Sequence, residues 1–197
     1  MKQSDFVSVT HINEQLKHIV LLSRNVYLTA LNAMLLSRRI ENKANGFSSV
    51  TRELQQFSRR LNAHVDKVER DIVQLISDSA RLVKVRRVKE LYERAIHNAG
   101  SEYSSVKREA AIAKLNQTWS EVERNKSSSG HQVQITLAKL QDQYGIGNNL
   151  AILAKIESST IGEFTRELTA ITRQIETVMN EIQVCVDRAI QIQSEAV

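Results

Sequence analysis

The sequence contains no proline, and only six glycines and one cysteine among its 197 residues. Folds built from short strands and tight turns depend on proline and glycine for their reversals, and this chain lacks them. Aromatic residues make up 5% of the chain, which also removes the side chains that strands favour. All-β and α/β architectures are excluded together. The lone Cys185 rules out an intramolecular disulfide framework and the cysteine-rich zinc modules, so apolar packing has to hold the fold. Apolar runs such as residues 150–154 fall far short of the roughly 20 residues that cross a bilayer, and no signal-type apolar region opens the chain. The expectation is a soluble, cytoplasmic protein with no membrane span.

Charge of one sign is also scarce. The net +5 comes from 27 Lys and Arg against 22 Asp and Glu. The densest basic stretch, Lys84-Val85-Arg86-Arg87-Val88-Lys89, reads first as a solvated helix face crossing an apolar stripe. A phosphate-binding patch is the lesser reading, because no aromatic platform is interleaved with the cations.

What the sequence does contain is apolar residues at alternating steps of three and four, the spacing of a coiled-coil seam. Ile161, Phe164, Leu168, Ile171, Ile175, Val178, Ile182, Cys185, Ala189 and Ile192 keep it without a gap, and predict one helix over about 149–195. Val9, Ile12, Leu16, Ile19, Ser23, Val26, Ala30, Ala33, Ser37 and Ile40 predict a first helix over about 5–42 with a thinner seam. Asn42-Lys43-Ala44-Asn45-Gly46 supplies a turn, with Ser48 and Ser49 able to cap the next helix. That second helix, over 48–98, carries Leu54, Phe57, Leu61, His64 and Val68, shifts phase near residues 77–80, and is expected to run its seam on through Val88, Leu91 and Ala95. A third, over 101–143, starts at Ser101 and Glu102, uses Trp119 as a seam anchor, and meets a serine-rich piece at 125–130 that reads as a loop or kink. Gly145-Ile146-Gly147-Asn148-Asn149 supplies the last turn. The fold expected is all-α: a single domain over 1–197, a long antiparallel coiled coil in an up-down-up-down four-helix bundle. Two hairpins that complete their bundles by dimerising are the competing arrangement.

Around the first turn, Ala30-Leu31-Asn32-Ala33, Arg39, Gly46-Phe47, Val50 and Glu53 fall at fixed distances without insertion or deletion. This window, residues 28–54, resembles the cytoplasmic signalling tip of bacterial methyl-accepting chemotaxis receptors. Leu36, Ile40-Glu41, Ala44 and Gln55 depart from the family pattern, so the tip is a diverged one. The resemblance implies a non-enzymatic signalling or adaptor protein. It would contact a chemotaxis coupling protein, a histidine kinase or chemoreceptors through Asn32, Arg39, Phe47, Val50, Glu53 and Leu54. Phe47 has two readings, a plug closing the end of the helices or an exposed anchor, and kinship with the family favours contact. A homodimer is compatible with it, and a structural coiled-coil scaffold or a weakly nucleic-acid-binding helical protein are the alternatives.

A fainter echo lies nearer the C-terminus. Residues 150–163 can be laid on the ascending half of the same tip at an offset of 121, and Thr165-Arg166-Glu167-Leu168 repeats Thr51-Arg52-Glu53-Leu54 at an offset of 114. The difference is one heptad, whose deletion would keep the seam in phase while removing the turn, so the second copy is expected to run straight. Coincidence between low-complexity seams is the alternative.

Catalytic groupings are lacking. There is no Gly-rich phosphate loop, no Gly-x-Ser-x-Gly and no His-Glu-x-x-His, so neither an enzyme nor a cofactor is expected. His11, Glu14 and His18 share one helix face but read as solvated rather than as zinc ligands, Cys185 reads as core, and no metal is expected.

Overall fold

The computed structural model describes residues 3–39, 45–98, 105–160 and 165–196. All but Thr160, which forms a turn, are helical, and no strand occurs among them. The helices are α1 (Gln3–Arg39), α2 (Asn45–Asn98), α3 (Ser105–Ser159) and α4 (Thr165–Ala196). At 1.5 Å per residue, α2 and α3 are about 80 Å long, and α1 and α4 about 50 Å. α1 and α3 each pack on both α2 and α4, while α1 and α3, like α2 and α4, barely touch each other.

That arrangement pairs small seams with large ones. α1 buries Ala30, Ala33 and Ser37, and α3 buries Ala151, Ala154 and Ser158. α2 and α4 answer with Phe47, Leu54, Phe57 and Leu61, and with Leu168, Ile175, Met179 and Ile182, all fully buried. Ser23 and Ser58 fix the register of α1 on α2: their hydroxyls lie 2.8 Å apart, and the Ser58 hydroxyl donates to the Ser23 carbonyl at 2.7 Å. Short side chains make such a backbone approach possible.

Three boundaries differ from those predicted. α2 begins at Asn45, so Ser48 and Ser49 lie inside its first turn and are not caps. The serine-rich piece at 125–130 is continuous helix: Ser129 Oγ donates to Asp78 Oδ2 at 2.6 Å, so polar seam residues of α3 meet polar seam residues of α2. The glycines at 145 and 147 do not end α3, which runs on to Ser159. A Cβ at Gly147 would collide with the side chains of Met179 and Phe57; this glycine is a hole in α3 that two large side chains fill. The seam Val133, Leu137, Leu140, Tyr144, Gly147, Ala151, Ala154, Ser158 in fact never loses its three-four alternation.

α4 therefore starts at Thr165, not near 149, and the second tip-like segment does not run straight. Arg39, the last residue of α1, aligns at the 121 offset with Thr160, just past the end of α3. Thr51-Arg52-Glu53-Leu54 lies six residues inside α2, whereas its repeat opens α4. One helix ends and another begins within each of the two similar segments. Residues 40–44, which hold most of the first predicted turn, and the predicted cap at Ser101 and Glu102 lie outside the described residues, as do Ile161 and Phe164.

Candidate functional site

α1 is striped on two faces. Its inner stripe, Ile12, Leu16, Ile19, Val26, Ala30 and Ala33, is buried. Leu21, Leu28 and Leu35, seven residues apart, are 62%, 45% and 50% exposed. If the inner stripe occupies heptad positions a and d, these leucines occupy f, the position farthest from the core. Half-buried Leu31 adds the intervening step, giving a second apolar line Leu28, Leu31, Leu35 with seam spacing. Exposed Arg24, Asn32, Arg38 and Arg39 border it. The double striping makes α1 the one helix among the described residues long and apolar enough to cross a membrane. Its mean hydropathy reaches 1.5 over an 18-residue window, of which 39% is buried against the other helices.

The six predicted contact residues separate into two groups. Asn32, Arg39 and Glu53 are exposed, and Glu53 carries an ion pair with Arg60 at 3.9 Å. Phe47 and Leu54 are fully buried, and Val50 is half-buried against the core. Phe47 is thus the plug of its two readings: a ring of that size in the first turn of α2 gains more from burial among seam residues than from water. The glycine before it serves a different purpose. Gly46 lies against the Glu157 carboxylate of α3, which a Cβ would displace. α2 has no acidic residue in its own first turn, so α3 supplies the anion that the exposed amides and dipole of a helix start favour.

Toward the other end of α2 and α3 the packing changes. Gln74 Nε2 and Ser129 Oγ donate to buried Asp78 at 3.0 and 2.6 Å, and Thr136 Oγ1 donates to Asp71 at 2.6 Å. At this polar level lies a half-open cavity of about 590 Å³ whose wall takes Val9 from α1, Leu75 and Ile76 from α2, His131 from α3 and Gln193 from α4. Past it, among the described residues, α2 and α3 continue as a pair. Residues 81–96 of α2 and 109–121 of α3 contain no buried residue. Leu82, Val85, Lys89, Tyr92 and Ile96 line the inner face of α2 there, opposite Ile112, Leu115 and Trp119, and all are half-buried. Two helices alone cannot cover such a seam.

The chemically reactive side chains do not assemble. His11, Glu14 and His18 are exposed, and among the described residues no group of three His, Cys, Asp or Glu is placed to hold a metal ion. His64 is half-buried, and the seam position beside it belongs to fully buried Val65. Cys185 is buried, and burial pushes its thiol above the ordinary value, with Arg188 opposing and Glu181 reinforcing the shift.

No protein-family model matches the chain, and no curated protein matches it at a significant level.

The outer stripe of α1 was missed by the sequence reasoning, although its signal was there: leucine at 21, 28 and 35 repeats every seven residues, two positions out of phase with Ile19, Val26 and Ala33.

Proposed function

We propose that the protein is a non-enzymatic signalling or adaptor module that acts through protein contacts at the end of the molecule where α1 gives way to α2. The arrangement we infer is an up-down-up-down antiparallel bundle. Cross-helix pairs in which one residue number rises as the other falls support it: Asp71 with Thr136 and Asp78 with Ser129, and Tyr144 with Gln183 and Lys155 with Glu176.

One observation carries the functional reading: Leu28, Leu31 and Leu35 form an outward line beside Asn32 and Arg39. A second seam on a helix already committed to a core is wet in the isolated chain, and because these leucines are already about half covered its burial by a partner helix or groove is worth roughly 1 kcal/mol per leucine. Asn32 and Arg39 are also residues on which the resemblance to chemoreceptor tips rests, so the partner class favoured is a chemotaxis coupling protein, a histidine kinase or a chemoreceptor. Phe47 and Leu54 contribute by holding that end closed, and Val50 packs beside them.

Titration of the purified protein with a purified coupling protein and kinase, followed by light scattering, tests this. Binding that Leu28→Glu with Leu35→Glu abolishes, and that Arg39→Ala weakens, is the expected result. Binding indifferent to all three changes removes the tip as the site. No binding at all leaves the coiled-coil scaffold as the better account.

A further inference from the structure

The positive charge of the chain is not spread along it. Residues 81–122 hold nine Lys and Arg against five Glu, a net +4, while the remaining residues together carry +1. On α2, Lys84, Arg87, Val88, Leu91, Arg94 and Ala95 are all exposed, and their spacing places them on one helix face. Val88 and Leu91, 45% and 57% exposed, form its apolar middle. Arg86, next to this face, pairs with Glu90 at 3.8 Å, but Lys84, Arg87 and Arg94 have no carboxylate partner among the described residues.

We propose that this face of the α2–α3 extension docks an acidic amphipathic helix of a partner protein, whose apolar residues cover Val88 and Leu91 and whose carboxylates meet Lys84, Arg87 and Arg94. The charge selects the occupant. A second copy of the chain brings another +4 to the same place and is repelled. Nucleic acid satisfies the cations but leaves Val88 and Leu91 facing phosphates, and the face has no aromatic ring on which a base stacks, since Tyr92 belongs to the inner side. An acidic helix satisfies both halves of the face at once. This site is independent of the leucine line on α1.

The test uses the whole protein and its only tryptophan, Trp119, which is half-buried in the extension and reports on events there. The probe is a synthetic peptide of about four heptads, with Leu at a and d and Glu at e and g, whose own like charges oppose its self-pairing. Saturable quenching or shift of Trp119 emission is expected, weaker as salt rises. Arg87→Glu with Arg94→Glu should lower the affinity about tenfold or more, because two attractions become repulsions, and Leu91→Asp should lower it as well. All three positions are exposed, so the helical melting curve should not move. Leu28→Glu with Leu35→Glu should leave peptide affinity unchanged; loss there instead would assign the binding to α1 and overturn the proposal. Equal affinity for the peptide with Lys in place of Glu would overturn it too. So would tighter binding to a short DNA duplex or to phosphatidylserine vesicles than to the peptide, a charge-reversal-sensitive homodimer in sedimentation, or no saturable response.

Discussion

Leu61, Val65 and Val68 of α2 are wholly buried, yet farther along the same helix the inward-facing Leu82, Val85 and Tyr92 are only half-buried. The seam spacing hardly changes between the two regions; the number of helices around it does. Where α1 and α4 flank α2 and α3, each helix packs on two neighbours instead of one, and the small seam residues Ala30, Ala33, Ala151 and Ala154 are matched to large ones of α2 and α4. In the extension, Lys89 occupies an inward position that an enclosed core would reject, and no residue of 81–96 or 109–121 is buried. Heptad pattern alone thus sets direction, while coverage sets stability. The two regions should open separately, the extension at low free energy. Hydrogen exchange should find amides at 81–96 and 109–121 far less protected than those at 54–72. Equal protection would mean that the extension is covered in solution.

The largest mutational contrast lies in truncation of apolar side chains. Phe57→Ala should cost about 3–5 kcal/mol, because the ring is fully buried and fills the hole at Gly147. Leu115→Ala, on the half-buried seam of the extension, should cost only about 1 kcal/mol. Urea unfolding of both variants measures the difference, and similar losses would break the distinction between the regions.

Glycine substitutions sharpen it within a few residues of one helix. Gly147→Ala collides with Met179 and Phe57 and should destabilise by roughly 1–3 kcal/mol. Gly145, one residue before Ile146 on the same helix, has nothing within 4 Å of a Cβ, so Gly145→Ala should stabilise by about 0.5–1 kcal/mol through helix propensity alone. Opposite signs in thermal melts are the expected outcome.

Those two glycines also explain how far the sequence could be read. Helix ends expected near 42 and at 98 lie at Arg39 and Asn98, because they coincide with loss of the seam. Gly145 and Gly147 look like a turn locally, and what makes Gly147 a helix residue is Phe57 and Met179, remote along the chain. The continuous seam through Tyr144, Gly147 and Ala151 outweighed turn propensity, and the break came instead beside Thr160. Of the residues expected to meet a partner, Asn32, Arg39 and Glu53 face water, whereas the burial of Phe47 and Leu54 follows from the seam they continue. Val88, Leu91 and Ala95, expected to continue the seam of α2, are exposed instead: beyond the phase shift the inward positions belong to Leu82, Val85, Lys89, Tyr92 and Ile96, a choice that apolar residues on both faces leave open in the sequence.

The smallest effect concerns Cys185, which titrates only in the four-helix region because the extension has no cysteine. Desolvation by burial raises its thiol above the ordinary value of 9.0, so the folded state holds the proton more tightly than the unfolded one. Stability from this group is fully present below the ordinary value. It falls as pH climbs from there toward the folded value, with a slope of at most about 1.4 kcal/mol per pH unit, and is level again above it. Other groups titrate in the same range, so the measurement is the difference between the unmodified protein and Cys185→Ala at each pH. That difference should be constant up to about pH 8.5 and should then shift in favour of the alanine variant. A flat difference through about pH 10.5 would mean that water reaches the thiol, and that the core around Ile182, Val186 and Ala189 is no better covered than the seam of the extension.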